Sequence, residues 1–186
     1  MLYLICSIFT VTFYAIIKNY GESKMKVKTI LDEDFTNYKE PSMFIGCVSC
    51  GGKCAKEGGF DISICQNDEW RKAPIITYDN VELIKRYLSN NMTKAIVFGL
   101  LEPFEQFEEL YIFIDMFRNT FRCDDTIIIY TGYNKREITQ YIDKLRSVGR
   151  NIIIKFGRFM LNNEKHFDEV LGVYLASDNQ YAERIS

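Results

Sequence analysis

The sequence lacks a strong charge of either sign, because 23 Lys and Arg residues stand against 25 Asp and Glu residues and leave a formal net charge of −2. Long runs of like charge are also missing, and basic pairs such as Arg71-Lys72 are typical of a solvated surface. A general nucleic-acid binder or a protein that binds anionic membranes through charge would carry a basic excess. We therefore predict neither a nucleic-acid nor a membrane partner.

Histidine is nearly absent, since His166 is the only one in the chain. Cysteine is more frequent: Cys6 and Cys123 stand alone, and four more lie close together, at Cys47, Cys50, Cys54 and Cys65. A disulfide framework usually spreads its cysteines through a small secreted domain. Four thiols in one glycine-rich loop instead favour a metal site in a reducing compartment, and we predict a cytoplasmic protein.

The chain also lacks a long hydrophobic run, apart from residues 2–17, which carry no charge. This segment is shorter than the ~20 residues of a spanning helix. It has no positive residue before it and no clear small-residue cleavage site. We divide the chain into an apolar extension, residues 1–24, and a single domain, residues 25–186. We predict that translation starts at Met25, with a membrane or signal-like segment as the alternative.

Short β-rich runs alternate with helical patterns beyond residue 25. The apolar runs at residues 43–45, 95–98, 126–130 and 151–156 predict buried strands, each followed by a glycine or a glycine-bearing turn. Apolar spacings of three and four predict three helices, the first capped by Asp79 and the second beginning at Glu102-Pro103. Their predicted apolar faces are Val81, Ile84, Tyr87 and Leu88; Phe104, Phe107, Leu110, Tyr111, Ile114 and Phe117; and Ile138, Tyr141, Ile142 and Leu145.

This alternation predicts an α/β fold with a mostly parallel sheet covered by helices. In parallel α/β folds, ligands bind at the carboxyl ends of the strands. The cysteine loop, Gly99 and Gly132 each follow a predicted strand. We therefore expect them to meet at one rim of the sheet.

The cysteine loop offers three or four soft thiolate ligands. Four thiolates suit a tetrahedral zinc ion or a complete iron–sulfur cluster, whereas three leave one iron of a four-iron cluster without a protein ligand. That iron can bind a small molecule. Glycines at positions 51, 52, 58 and 59 let the backbone wrap a cluster. These residues alone are compatible with three kinds of site: a structural zinc site in an interaction module, an electron-transfer cluster with four protein ligands, and a cluster with one open iron.

The loop resembles a known family. Cys50-x-x-x-Cys54 matches the first part of the C-x-x-x-C-x-x-C signature of the radical S-adenosylmethionine family. The third cysteine of that signature would fall at Glu57, but here it comes later, at Cys65. Residues 65–70 (CQNDEW) are similar to the segment that follows the third cysteine in the activating proteins of anaerobic ribonucleotide reductase. We therefore interpret residues 55–64 as an insertion.

Further motifs of the family follow in the expected order. Residues 98–103 (FGLLEP) resemble its G-G-E/D-P segment, and residues 130–133 (YTGY) resemble its aromatic-T-G-Y segment. Residues 156–159 (FGRF) resemble its D-G-x-F segment, and residues 176–180 (ASDNQ) its C-terminal S-x-N-Q segment. The resemblance thus covers about residues 40–181.

The resemblance implies a fold, two cofactors and a set of contacts. The fold would be a small partial (β/α) barrel with a mostly parallel sheet. The cofactors would be a 4Fe-4S cluster held by Cys50, Cys54 and Cys65, and S-adenosyl-L-methionine on the open iron. The implied contacts to S-adenosylmethionine are Gln66 near the adenine, Gly99, Leu100, Leu101 and Glu102 at the methionine end, and Tyr130, Thr131 and Gly132 near the ribose.

The resemblance also implies a radical S-adenosylmethionine oxidoreductase of the glycyl-radical-enzyme activating type. Reductive cleavage of S-adenosylmethionine would give a 5′-deoxyadenosyl radical that installs a glycyl radical on a partner protein. The implied partner is an anaerobic ribonucleoside-triphosphate reductase or a related glycyl-radical enzyme, and the implied electron donor is a reduced flavodoxin- or ferredoxin-type protein. A non-catalytic zinc- or iron–sulfur-binding protein for interaction or electron transfer is the alternative.

Several residues depart from the family pattern. Leu100 stands where the family has a second glycine, and Lys155-Phe156 stand where it has an aspartate before Gly157. Gln66 replaces an aromatic residue. Cys47 is an additional thiol, and a fourth ligand at this position would close the cluster.

Overall fold

The computed structural model describes Tyr20 and residues 22–186. Most of the apolar extension, including Cys6, lies outside the described residues, so the prediction of a start at Met25 stays a prediction. The first strand spans the predicted boundary, because it begins at Lys24, and the Ser23 carbonyl accepts a hydrogen bond from the Asn80 amide at 3.1 Å. No helix in the described part of the chain is long and apolar enough to cross a membrane.

The described residues form ten strands, arranged in three sheets. In chain order these are β1 (Lys24–Val27), β2 (Thr29–Asp34), β3 (Ser42–Gly46), β4 (Ile76–Asp79), β5 (Ala95–Gly99), β6 (Thr126–Tyr130), β7 (Ile152–Phe156), β8 (His166–Asp168), β9 (Val173–Leu175) and β10 (Tyr181–Arg184).

Five α-helices lie between these strands in the described residues: α1 (Lys53–Gly58), α2 (Asp68–Lys72), α3 (Asn80–Ser89), α4 (Phe107–Asp115) and α5 (Thr139–Val148). Short 3₁₀ turns at Ile62–Ile64, Pro103–Gln106 and Lys135–Ile138 precede α2, α4 and α5, and a π-helical turn at Met116–Thr120 extends α4.

The largest sheet has six strands in the order β10-β7-β6-β5-β3-β2. The four central strands are parallel, and the edge strands β2 and β10 are antiparallel to their neighbours. The α/β prediction is therefore confirmed, with a mixed sheet that does not close into a barrel within the described residues. The other sheets are two-stranded and antiparallel, β1 with β4 and β8 with β9.

The six-stranded sheet is covered on both faces, which explains why its central strands are continuous apolar runs. Helices α3, α4 and α5 pack on one face, where residues such as Ile84, Leu110 and Ile142 contact the strands in the main core cluster. The opposite face carries a second cluster that includes Val97, Ile128 and side chains from the C-terminal segment. The sheet is thus the middle of three layers.

The predicted helix boundaries and faces are largely confirmed. Helix α3 begins directly after Asp79, whose carboxylate accepts hydrogen bonds from the amides of Val81 at 2.8 Å and Glu82 at 3.2 Å. Its predicted apolar face is wrong at one position, because Leu88 lies in the last turn and is 43% exposed while Leu83 is buried. The spacing rule gives the direction of a side chain but not whether a neighbouring element covers the end of the helix.

Candidate metal centre at the carboxyl rim of the sheet

The first part of the cysteine loop lies against the turn that follows β5. The amide of Cys47 donates to the carbonyl of Gly99 at 2.8 Å, and the carbonyl of Ser49 accepts from the amide of Glu102 at 2.7 Å. The Ser49 hydroxyl also donates to the Glu105 carboxylate at 2.6 Å. The loop is therefore fixed at its start to the carboxyl end of a central strand.

The far part of the loop returns to the same place. The side-chain amide of Asn67 donates to the carbonyl of Leu100 at 2.6 Å, and the guanidinium group of Arg71 donates to the carbonyl of Cys50 at 2.9 Å. These bonds close the loop on itself. The segment after Cys65, which resembles the family motif, is thereby held beside the first cysteine of the signature.

The three signature cysteines are free and partly exposed. The sulfur of Cys50 accepts from the amide of Gly52 at 3.5 Å, and burial is the main cause that raises the pKa of its thiol. Cys54 lies in α1, with its sulfur facing Gly132: a Cβ atom at position 132 would stand 3.2 Å from that sulfur. Cys65 ends the 3₁₀ turn that precedes α2.

Cys47 lies in a different environment, since it is 1% exposed and belongs to the main core cluster on the helical face. Side chains alternate between the two faces of a strand, so Cys47 points to the same face as Met43 and Ile45 of β3, which lie in the same cluster. Burial strongly raises the pKa of its thiol, and the carboxylates of Glu102 and Glu109 act in the same direction. Cys47 is therefore a core residue rather than a fourth thiol on the exposed loop.

Glu102 connects the turn after β5 to the turn after β6. Its buried carboxylate accepts from the Thr131 hydroxyl at 2.7 Å and from the amides of Gly132 at 2.9 Å and Phe104 at 3.1 Å. Burial raises the pKa of this carboxyl to about 7, although the hydrogen bonds favour its ionised form. The two turns predicted to hold one cofactor are thus joined through one side chain.

The other predicted cofactor contacts differ in burial and in the direction of their side chains. Leu100 has a left-handed backbone, with φ 72°, and Leu101 is buried. Gln66 is exposed on the loop. The side chain of Tyr130 points into the second cluster, and its hydroxyl donates to the carbonyl of Asn37 at 2.6 Å. The Tyr130 side chain therefore packs against the second cluster, while its backbone continues to the rim.

The C-terminal motifs lie at the same edge. The amide of Gly157 donates to the carbonyl of Tyr133 at 3.1 Å. The side chains of Asn179 and Gln180 donate to the carbonyls of Arg158 at 3.0 Å and Gly157 at 3.3 Å. Residues 156–159 and 176–180 are thus joined by hydrogen bonds, and the first of these segments also contacts the turn after β6.

Two cations at this rim were not identified as site residues from the sequence. Arg158 is almost buried, and its guanidinium group binds the carboxylates of Glu57 and Glu137 and the carbonyl of Gly132. The hydrogen bond from Arg158 is the main cause that lowers the pKa of Glu137 to about 2. Lys155 is 7% exposed, and burial lowers its pKa to about 8 while Cys54 and Glu102 act in the opposite direction. The signal in the sequence was a single charge inside the apolar run of residues 151–156.

Comparison with known proteins gives no match. The chain matches no protein-family model, no curated protein sequence and no solved structure.

The thiols of the cysteine loop are the donor type that iron–sulfur clusters use. Among Tyr20 and residues 22–186, no three His, Cys, Asp or Glu side chains are grouped so that they could bind one metal ion. A cluster binds each thiolate at a different iron, so its ligands do not converge on one point. Cys50, Cys54 and Cys65 come from one glycine-bearing loop, and because Gly132 has no Cβ atom the sulfur of Cys54 can lie against the turn after β6.

Proposed function

We propose that this protein is an iron–sulfur enzyme of the radical S-adenosylmethionine type, with a 4Fe-4S cluster on Cys50, Cys54 and Cys65. One observation supports this more than any other. The segments that resemble the family motifs are far apart in the sequence, yet they are joined by hydrogen bonds at one rim, with Glu102 linking two of them. Ligand sites of parallel α/β sheets lie at this rim.

The topology supports the finer fold prediction, a small partial (β/α) barrel. The parallel strands are added in chain order, β3-β5-β6-β7, and the intervening helices pack on one face. A doubly wound sheet would instead reverse direction and place helices on both faces. Repeated winding in one direction, with helices outside, is the pattern of (β/α) barrels.

The left-handed backbone at Leu100 also supports the family assignment. A φ of 72° favours glycine, and the family has glycine at this position. Leu100 thus has the left-handed backbone conformation expected for the glycine of the family turn, but it carries a side chain. That side chain packs with the second cluster on the face opposite the helices.

The burial of Cys47 supports three ligands rather than four. A zinc site or a closed electron-transfer cluster would require Cys47 to leave the core and join the other thiols. Three ligands leave one iron for the amino and carboxylate groups of S-adenosylmethionine. The bound cluster would supply the electron for reductive cleavage of the sulfonium carbon–sulfur bond, which gives methionine and a 5′-deoxyadenosyl radical.

The residues of the chain itself would bind and orient the cofactor. The turn of Gly99, Leu100 and Leu101 would contact the methionine end, and Glu102 would keep this turn in register with Thr131 and Gly132 near the ribose. The carbonyls of Gly99 and Leu100 already accept one hydrogen bond or more, so the Leu101 carbonyl is the first candidate for the amino group. Gln66, exposed on the loop, would close over the adenine.

The partner in this proposal is a glycyl-radical enzyme, in particular an anaerobic ribonucleoside-triphosphate reductase, with a reduced flavodoxin- or ferredoxin-type electron donor in the cytoplasm. In this proposal, a large partner would supply much of the wall around the reacting centre.

The decisive experiment is anaerobic reconstitution with iron and sulfide, followed by dithionite and S-adenosylmethionine, with 5′-deoxyadenosine as the measured product. Single replacements of Cys50, Cys54 or Cys65 by Ala should abolish the brown cluster and the product. Cys47→Ala and the control Cys123→Ala should retain both. A fully loaded cluster that gives no 5′-deoxyadenosine would leave binding or electron transfer as the function, and loss of the cluster in Cys47→Ala would contradict the ligand assignment.

A further inference from the structure

Lys155 carries a buried amine at the rim of the sheet, where its strand position pairs with Tyr130 and where the sulfur of Cys54 lies against nearby Gly132. Strand alternation puts its side chain on the same face as Ile153, away from the helices. The ammonium group donates one long hydrogen bond, 3.3 Å, to the carbonyl of Gly157. No carboxylate lies within ion-pair distance of this nitrogen in the part of the chain that the structure describes.

Such a group is unfavourable for the fold by itself. An ammonium ion that leaves water loses solvation free energy, and one neutral acceptor restores only part of it. The nitrogen of Lys155 lies 6.0 Å from the centre of the Tyr130 ring, and the carbonyl of Lys155 accepts a hydrogen bond from the amide of Thr131, the residue before Gly132, at 2.9 Å. The lysine therefore faces the rim with its positive charge only partly compensated.

We propose that Lys155 offsets the negative charge of the cluster thiolates and raises the reduction potential of the cluster bound at this rim. This inference rests on the proposed function, because it requires the three-thiolate cluster. Each electron that the cluster accepts adds negative charge in a site of low dielectric, where a buried cation acts more strongly than in water. The potentials of iron–sulfur clusters depend on net charge and on the groups around the sulfurs.

The test is a redox titration of the reconstituted full chain, followed by visible absorbance and electron paramagnetic resonance. Lys155→Met removes the charge and keeps most of the volume, whereas Lys155→Arg keeps the charge. Lys56→Met, at an exposed position of α1, is the matched control. Lys155→Met should load the same amount of iron but lower the ratio of reduced to oxidised cluster about tenfold at a fixed potential, equal to ~59 mV for one electron. The other two variants should stay close to the unmodified protein.

A second measurement uses the protein without iron. If the lysine serves the cluster, Lys155→Met should raise the melting temperature of the apoprotein by about 2–4 °C, because methionine removes an uncompensated buried charge. A lower melting temperature would show that the lysine stabilises the fold and would overturn the inference.

The outcomes separate this inference from the proposed function. A loaded cluster with the same potential in Lys155→Met and in the unmodified protein overturns the role of Lys155 and leaves the proposed function intact. An unmodified chain that takes up no cluster at all overturns both.

Discussion

Gly132 lies directly against the thiol of Cys54, so a larger residue at this position would displace the sulfur. A Cβ atom at this position would lie 3.2 Å from the sulfur and 3.6 Å from a carboxylate oxygen of Glu102. The first distance is shorter than ordinary van der Waals contact, so the thiol would have to move. A ligand sulfur must keep its position within a few tenths of an ångström to hold a cluster.

We therefore expect Gly132→Ala to weaken cluster binding more than it destabilises the fold. The control is Gly149→Ala, where the added Cβ atom would meet the side chain of Arg118, away from the cysteine loop. Iron content after reconstitution and urea unfolding of the apoprotein measure the two effects. Normal iron content in Gly132→Ala would contradict the proposed placement of the cluster against this turn.

Glu102 gives a prediction about pH. Its pKa is raised from 4.5 in the unfolded chain to about 7 in the fold, so between these values the folded state holds the proton that the unfolded state has released. Unfolding then releases a proton, and the contribution of Glu102 to stability falls as the pH rises from about 4.5 to about 7. The total loss of folding stability from this titration is on the order of 3 kcal/mol, since one pKa unit corresponds to 1.36 kcal/mol.

The measurement is the free energy of unfolding of the apoprotein against pH, for the unmodified chain and for Glu102→Gln. The stability of the unmodified chain relative to the variant should decrease across this window and level off above it. Glu108→Gln, at an exposed carboxylate, is the control and should give a curve parallel to that of the unmodified chain. Parallel curves for Glu102→Gln as well would contradict the raised pKa.

Helix α1 carries Cys54 and is only six residues long, so its position depends on contacts with other elements. Arg158, after β7, binds Glu57 of α1 and Glu137 beyond β6. Lys53 of α1 forms an ion pair with the same Glu137. This cluster of charges fixes the cysteine-bearing helix to the rim.

Arg158→Ala should cost about 2 kcal/mol in the free energy of unfolding, less than a fully buried ion pair, because Glu57 is half exposed. It should also speed proteolysis within residues 53–60. Arg150→Ala is the matched control, since its ion pair with Asp124 is exposed and its loss should leave the free energy of unfolding nearly unchanged. An Arg158→Ala protein with unchanged stability and unchanged proteolysis would show that α1 is held by other contacts.

The whole molecule combines a rigid sheet with a loop that has little core of its own. Strand β5 is completely buried in the middle of the sheet and β6 is buried at its three central residues, whereas α2 has no buried residue and α1 has only Ala55. Local stability follows buried contacts, so the cysteine loop should open without unfolding of the sheet. In the apoprotein we expect the slowest hydrogen exchange in β5 and β6 and much faster exchange in residues 53–65.

Cluster loading should slow exchange in the cysteine loop and leave the β8–β9 hairpin unchanged, because the hairpin packs on the second cluster and includes none of the proposed ligands. Hydrogen exchange with mass spectrometry, before and after reconstitution, measures both regions in one experiment. Equal protection of the loop in the two states would contradict its proposed role as the cluster-binding segment.

Local chemistry was sufficient to predict much of the fold. The runs at 95–98 and 126–130 are too apolar for a half-exposed strand, and both are buried strands in the structure. Asp79 caps α3 through bonds within its own turn. The meeting of several motifs at one rim followed from a general rule, because the carboxyl ends of parallel strands lie at the same edge.

Long-range packing decided what the sequence left open. The antiparallel edges β2 and β10 depend on pairing between distant segments, for which their residues carry no separate signal. Cys47 and Cys50 are both loop cysteines in the sequence, yet one lies in the core and the other at the rim. Strand alternation gives the face of a side chain, but only the elements that cover that face decide whether it is buried.

The sequence by itself thus determined the central parallel strands, the helix starts and the grouping of the cysteines in one loop, because these depend on neighbouring residues. Only the tertiary structure placed Cys47 in the core, packed the Tyr130 side chain against the second cluster and brought Lys155 and Arg158 to the rim of the sheet. The physical reason is that burial and electrostatic surroundings are set by residues far away in the chain, which no local pattern specifies.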